Sequence, residues 1–132
     1  MHLRADVVLS LLLSVSLAGA APATASVTPL DGDGWRLAPD PGNVGVAEKW
    51  WEAPRPEAKP TKIPWTIQSI FPGYAGYAWY WYDLEIPANP RLGGRYLLRF
   101  WDVDYVADAY VNGTHIGRHE GKVSVVVFHA HV

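Results

Sequence analysis

The sequence has no cysteine among its 132 residues. An exported chain of this kind must hold itself together by its core, without disulfides. It also has no block of Lys and Arg. The basic residues stand singly and the formal net charge is −2. The isoelectric point is near 6.2. That balance argues against nucleic acid as a partner, because phosphate binding needs a concentrated basic surface. No long amphipathic helix, internal repeat or low-complexity segment stands out. Ser69, Ser124 and Thr114 lack a G-x-S-x-G setting. GYAG leads into a strand and not a helix, so it is no phosphate-binding loop. The length suits one domain and excludes a TIM barrel, which takes about 250 residues.

The first feature present is a leader. MHLRADVVLSLLLSVSLAGA carries Arg4, an apolar run from Val7 to Leu17, and then small residues. Both Ala18-Gly19-Ala20 and Ala23-Thr24-Ala25 fit a small-x-small cleavage pattern. Residues 1–25 therefore read as a secretory signal peptide, cut after Ala20 or Ala25, and the expected location is secreted or periplasmic. The apolar run falls short of the roughly 20 residues of a spanning helix, so no membrane association is expected after cleavage. A retained anchor is the alternative.

Residues 26–132 read as a string of short strands separated by turns. Trp35 and Leu37 share one side of an extended piece that follows Asp31-Gly32-Asp33-Gly34. PDPGNVG is a loop, Ala47 to Trp51 suits a single helical turn, and EAPRPEAKP is a polar surface loop. Thr61 to Ile67 alternates, and Pro64 within it suggests an edge strand or a bend. In WYWYDLEIP, Tyr80, Tyr82, Leu84 and Ile86 share one face and are expected to point into a core. Trp79, Trp81, Asp83 and Glu85 share the other face. Arg95 to Trp101 is a further strand, with Tyr96, Leu98 and Phe100 opposite Leu97, Arg99 and Trp101. Asn112-Gly113 between alternating segments predicts a hairpin. The tail VSVVVFHAHV has high β propensity. Together these features indicate an all-β sandwich.

Few residues suggest chemistry. Asp83 with Glu85, and Asp102 with Asp104, are spaced to share strand faces, about 6.5–7 Å apart. Retaining glycoside hydrolysis uses a pair of carboxyls, but solvated faces and turn caps are the default for such pairs. His115 and His119, and His129 and His131, lack the helix that would make metal ligands converge. Asn112-Gly113-Thr114 spells a glycosylation sequon, although the hairpin turn accounts for it. No cofactor, metal or catalytic residue is expected. The binding candidates are Trp79, Trp81 and Trp101, whose flat rings suit the C–H faces of a carbohydrate. The competing reading places these rings in a second apolar layer between sheets.

An ordered series of segments resembles the N-terminal sugar-binding domain of glycoside hydrolase family 2, which includes β-galactosidases, β-glucuronidases and β-mannosidases. LDGDGWRLAPDPGNVGVAEKWW is similar to that domain's opening strand and loop. KIPWTIQ resembles its V-P-x-x-W segment and YAGYAWYWYDLEIP its Y-x-G-x-x-W-Y strand. GRYLLRFWDVDYVADAYVNGTHIGRHEG is similar to its L-x-F through V-N-G to G-x-H-x-G stretch. The resemblance implies a galactose-binding-like jelly-roll β-sandwich. Its last strands are expected to be missing, because KVSVVVFHAHV departs from the family pattern after Gly121.

In that family a separate TIM barrel supplies two catalytic glutamates, one in an Asn-Glu dipeptide that this sequence lacks. The resemblance thus implies a non-catalytic accessory domain or fragment of a secreted glycosidase. Its expected partners are a carbohydrate and a catalytic TIM-barrel domain or chain. The alternatives are a free-standing carbohydrate-binding module and a structural domain that binds only after docking.

Overall fold

The structure is a computed structural model describing residues 25–122 and 125–130. The expected leader, residues 1–25, lies outside the described residues except for Ala25. Among the described residues the protein is all-β. The strands are β1 (Gly32–Pro39), β2 (Lys59–Ile63), β3 (Ala78–Tyr82), β4 (Tyr96–Phe100), β5 (Val106–Val111), β6 (Thr114–Glu120) and β7 (Val126–Ala130). One 3-10 turn, Ile67–Ser69, is the helical element. Pairing is antiparallel throughout, in a three-stranded sheet β2-β1-β3 and two ribbons, β4-β7 and β5-β6. The architecture is consistent with a β-sandwich domain.

Local chemistry explains several boundaries. Gly34 has φ 101°, and its missing side chain leaves room for the Tyr82 ring, which would lie 3.1 Å from a β-carbon there. The β1–β2 register shifts between Gly32 and Trp35, so the Gly-rich start of β1 forms an irregular edge. β2 takes an outer position, which suits Pro60, a residue unable to donate to a ladder. It ends at Ile63, before Pro64, and so stops short of the Ile67 expected from alternation. The hairpin forms as predicted. Asn112 (φ 48°) and Gly113 (φ 78°) join Val111 to Thr114 with the positive φ values that a tight primed turn needs.

The aliphatic core lies between the β4–β7 ribbon and the hairpin. Val103, Ala109, Val126 and Phe128 are buried there, with Leu98, Phe100, Ala107 and Ile116 packed against them. Phe100 and Phe128 meet edge to face at 6.0 Å. Gly117 lies directly under the Phe128 ring, in a place where any β-carbon would collide with it. The expected alternation of β4 holds: Leu98 and Phe100 turn inward and Leu97 is exposed.

β3 departs from expectation. The strand stops at Tyr82, and residues 83–89 run on without a sheet partner. The face expected to be interior is only partly so. Trp35 packs on Tyr82 at 4.8 Å, but Tyr80 is 39% exposed and Leu84 is 40% exposed. The contacts reaching the second layer leave from the opposite face, through Trp79. Indoles bury more area than phenol rings, and Asp40 provides a polar anchor on that side. Side-chain size and a distant hydrogen bond outweigh the aliphatic ending that the alternation suggested.

Candidate functional site

The densest group of chemically distinctive side chains surrounds Asp40, at the end of β1. Asp40 is 1% exposed. Its Oδ1 accepts from the Val44 N–H at 2.9 Å. Its Oδ2 accepts from the Gly45 N–H at 2.8 Å and from Trp79 Nε1 at 3.1 Å. Burial alone would raise the carboxyl's pKa. The hydrogen bonds from Val44, Gly45, Trp79 and Asn43 outweigh burial and hold it below the ordinary value. The carboxylate thus closes the Pro41–Gly45 loop and fixes the Trp79 indole. Gly45 has no alternative residue here, because a β-carbon would overlap that indole.

Aromatic rings build outward from Trp79. Trp50 and Trp81 lie 6.3 Å away, Trp51 6.5 Å and Tyr110 5.7 Å. Trp51 stacks on Tyr110 at 4.8 Å with the planes 5° apart, which joins the 45–51 turn to the hairpin. Trp81 Nε1 donates to the Trp50 carbonyl at 2.8 Å. The expected helical turn at Ala47–Trp51 is present, with the Trp50 N–H donating to the Gly45 carbonyl at 2.8 Å.

A polar strip continues along the hairpin. His115 sits 4.9 Å from the Tyr110 ring, and its Nε2 is 3.0 Å from Asp108 Oδ1. Arg118 donates to Asp108 Oδ2 at 2.6 Å. Burial, with the nearby Asp108 charge, raises the Tyr110 hydroxyl pKa, and Arg118 opposes the shift. His119 Nε2 lies 2.8 Å from the Gly121 carbonyl. Each of these two histidines therefore has a local partner in the fold.

The three candidate tryptophans occupy two settings. Trp79 and Trp81 sit together, half-buried, with their N–H groups engaged. Trp101 follows β4, is 66% exposed, and carries the Arg99 guanidinium over its ring at 4.3 Å. All three border one open cleft of about 2820 Å³. Pockets for small ligands span about 300–1,000 Å³, so this cleft is the unfilled space between layers and not a shaped sugar pocket. Sequence reasoning passed over Asp40. An Asp before Pro-Gly-Asn is a turn signal, but its bond to a side chain 39 positions away is not visible in the sequence.

The fold and the site define an all-β, aromatic-rich domain of the kind found beside glycoside-processing machinery. Similarity to known proteins narrows the class. The chain is 29% identical to the β-glucuronidase of Felis catus and 30% identical to that of Sus scrofa over 87 residues, covering 58% of this chain. It spans 13% of the length of these relatives. Among solved structures it is similar to the β-glucuronidase from Ruminococcus gnavus in complex with C6-substituted uronic isofagomine. The TM-score is 0.65 at 29% identity, covering 75% of this chain and 17% of that one. A β-glucuronidase from an uncultured Clostridium sp. matches with a TM-score of 0.57 at 29% identity, over 76% of this chain and 18% of that one. No protein-family model matches the chain. In sequence and in fold, then, the chain is similar to β-glucuronidases over a small part of their length.

Proposed function

We propose that this chain is a non-catalytic, sugar-binding β-sandwich domain of a secreted or periplasmic family 2 glycoside hydrolase. One observation carries the reading: the chain aligns with 13% of glycosidases whose fold and sequence it shares. An accessory domain of this kind packs on a catalytic TIM barrel and helps to wall the substrate cleft. Leu84 and Leu97 are exposed beside the open cleft and offer apolar area for such packing. Trp79 and Trp81 support the docking side of the role, because their rings and N–H groups are engaged within the protein. Trp101 is the residue best placed to meet a sugar.

The test is a glycosidase assay of the purified chain on aryl β-glucuronide, β-galactoside and β-mannoside substrates. No turnover above buffer is expected. Turnover abolished by a single carboxylate substitution within this chain would overturn the accessory role. A free-standing carbohydrate-binding module is the second reading, favoured by the exposure of Trp101. It predicts saturable sugar binding by the chain without any partner.

A further inference from the structure

The Arg99–Trp101 pair is unlike the other cation–aromatic pairs. Arg55 lies over Trp50 at 4.9 Å, but its Nε is 3.5 Å from the Glu57 carboxylate. Arg118, on the hairpin, is committed to Asp108. Lys59 and Lys62 lie over Phe71 and Trp65, but an ammonium is a point charge without the planar fork of a guanidinium. Arg99 lies over Trp101, and among the described residues no ion pair engages it.

Stacking occupies a face of the guanidinium. Its N–H donors lie in the plane and stay free at the edge, where a carboxylate can take two parallel bonds. The floor is preorganised. Arg99 is within β4 and paired in register with Val127 of β7, and Leu97 lies two residues away on the same face, 58% exposed. Trp101 leaves its other ring face to solvent.

We propose that Arg99 and Trp101 form a contact site for a carboxylated pyranose, a hexuronate. The guanidinium edge takes the carboxylate and the free indole face takes the C–H face of the ring. This rests on the sugar-binding reading above and gives it a ligand class and two residues. The carboxylate requirement comes from Arg99, and the ring requirement from Trp101. The site is a surface contact with no bond-breaking role.

The test is a titration of the full ¹⁵N-labelled chain, followed at the Arg99 Nε–H and Trp101 Nε1–H signals. The probes are sodium glucuronate, sodium galacturonate, glucose and sodium acetate. Glucuronate should shift both signals and saturate at about 1–10 mM, the range expected for one charge-assisted pair and one stacked ring. Glucose has the ring without the charge, and acetate the charge without the ring. Each should bind at least about tenfold more weakly, a loss of about 1.4 kcal/mol. Arg99→Gln should erase the preference for glucuronate over glucose. Arg99→Lys should restore little of it, because a lysine lacks the fork. Both positions are solvent-facing, and an unchanged amide spectrum will confirm that each variant is folded.

Glucose binding at Trp101 as tight as glucuronate, or glucuronate preference intact in Arg99→Gln, would overturn the hexuronate site and leave the accessory sugar-binding role standing. No response of either signal to about 100 mM glucuronate would also overturn it. Glycosidase turnover by the chain would strike the accessory role instead. The two failures are therefore distinguishable.

Discussion

The substitution Asp40→Asn isolates the polar anchor beneath the aromatic cluster. It preserves shape and removes one acceptor oxygen and the charge. Oδ1 takes one N–H donor and Oδ2 takes two. In either amide orientation, an NH₂ group must face at least one of those donors. A buried donor left unsatisfied costs about 1–3 kcal/mol. The surviving bonds also fall from charge-assisted to neutral, roughly halving their strength. Together the loss should be about 2–4 kcal/mol, and the melting midpoint should fall by at least about 8 °C for a domain of this size. Urea melts read by tryptophan fluorescence would report it as a lower midpoint with unchanged slope. The pH dependence gives an independent check. The folded carboxyl lies below its ordinary value of 3.8. Its contribution is therefore fully present above that pH and is lost as pH falls through the folded value. Asp40→Asn should flatten this acid limb. A variant within about 0.5 kcal/mol of the parent, with the acid limb unchanged, would refute the anchor.

Four further outcomes follow from the packing. Gly117→Ala should destabilise by about 1–3 kcal/mol in urea melts, because the methyl group meets the Phe128 ring. Gly113→Ala should cost about 1 kcal/mol by the same assay, since φ at 113 is 78° and alanine is strained there. Tyr110→Phe should keep the stack on Trp51 while weakening the loss of stability above pH 10.0. The raised hydroxyl contributes below its unfolded value and ceases to contribute as pH rises through the folded one. Trp79→Ala should cost about 3 kcal/mol or more, whereas Trp101→Ala should stay within about 0.5 kcal/mol, a contrast that separates packing from surface contact.

What the sequence made legible was local in origin. Asn112-Gly113 needs no distant partner to specify a primed turn, and the hairpin forms where the dipeptide stands. The alternation of residues 96–100 likewise names its own inner face, because Leu98 and Phe100 find Phe128 on the adjoining strand. The run from Trp79 to Ile86 was read less well. Its alternation was real, but both faces of the pleat carry large apolar side chains, so periodicity cannot rank them. The ranking comes from Asp40 and Trp51, which approach Trp79 and Tyr110 from a loop that carries no periodic signal. The candidate tryptophans divided for the same reason. Trp101 keeps its exposure because its contact is its near neighbour Arg99. Trp79 is drawn inward by residues about thirty to forty positions earlier in the chain, a separation that no local propensity encodes.

This division also indicates where the described domain is held together. The aliphatic core serves the β4–β7 ribbon and the hairpin, and the β1–β3 sheet contributes none of its members. That sheet is joined to the hairpin by rings and hydrogen bonds: Asp40 to Trp79, Trp79 to Tyr110, and Trp51 to Tyr110. A two-stranded ribbon alone is marginal in water, so a connection of this kind affects more than its own contacts. Loss of Asp40 frees the Pro41–Gly45 loop and unfixes the Trp79 indole, and with it one face of the Tyr110 contact. Substitutions at Asp40 and Trp51 should therefore prove non-additive, since both act on the same coupling between layers.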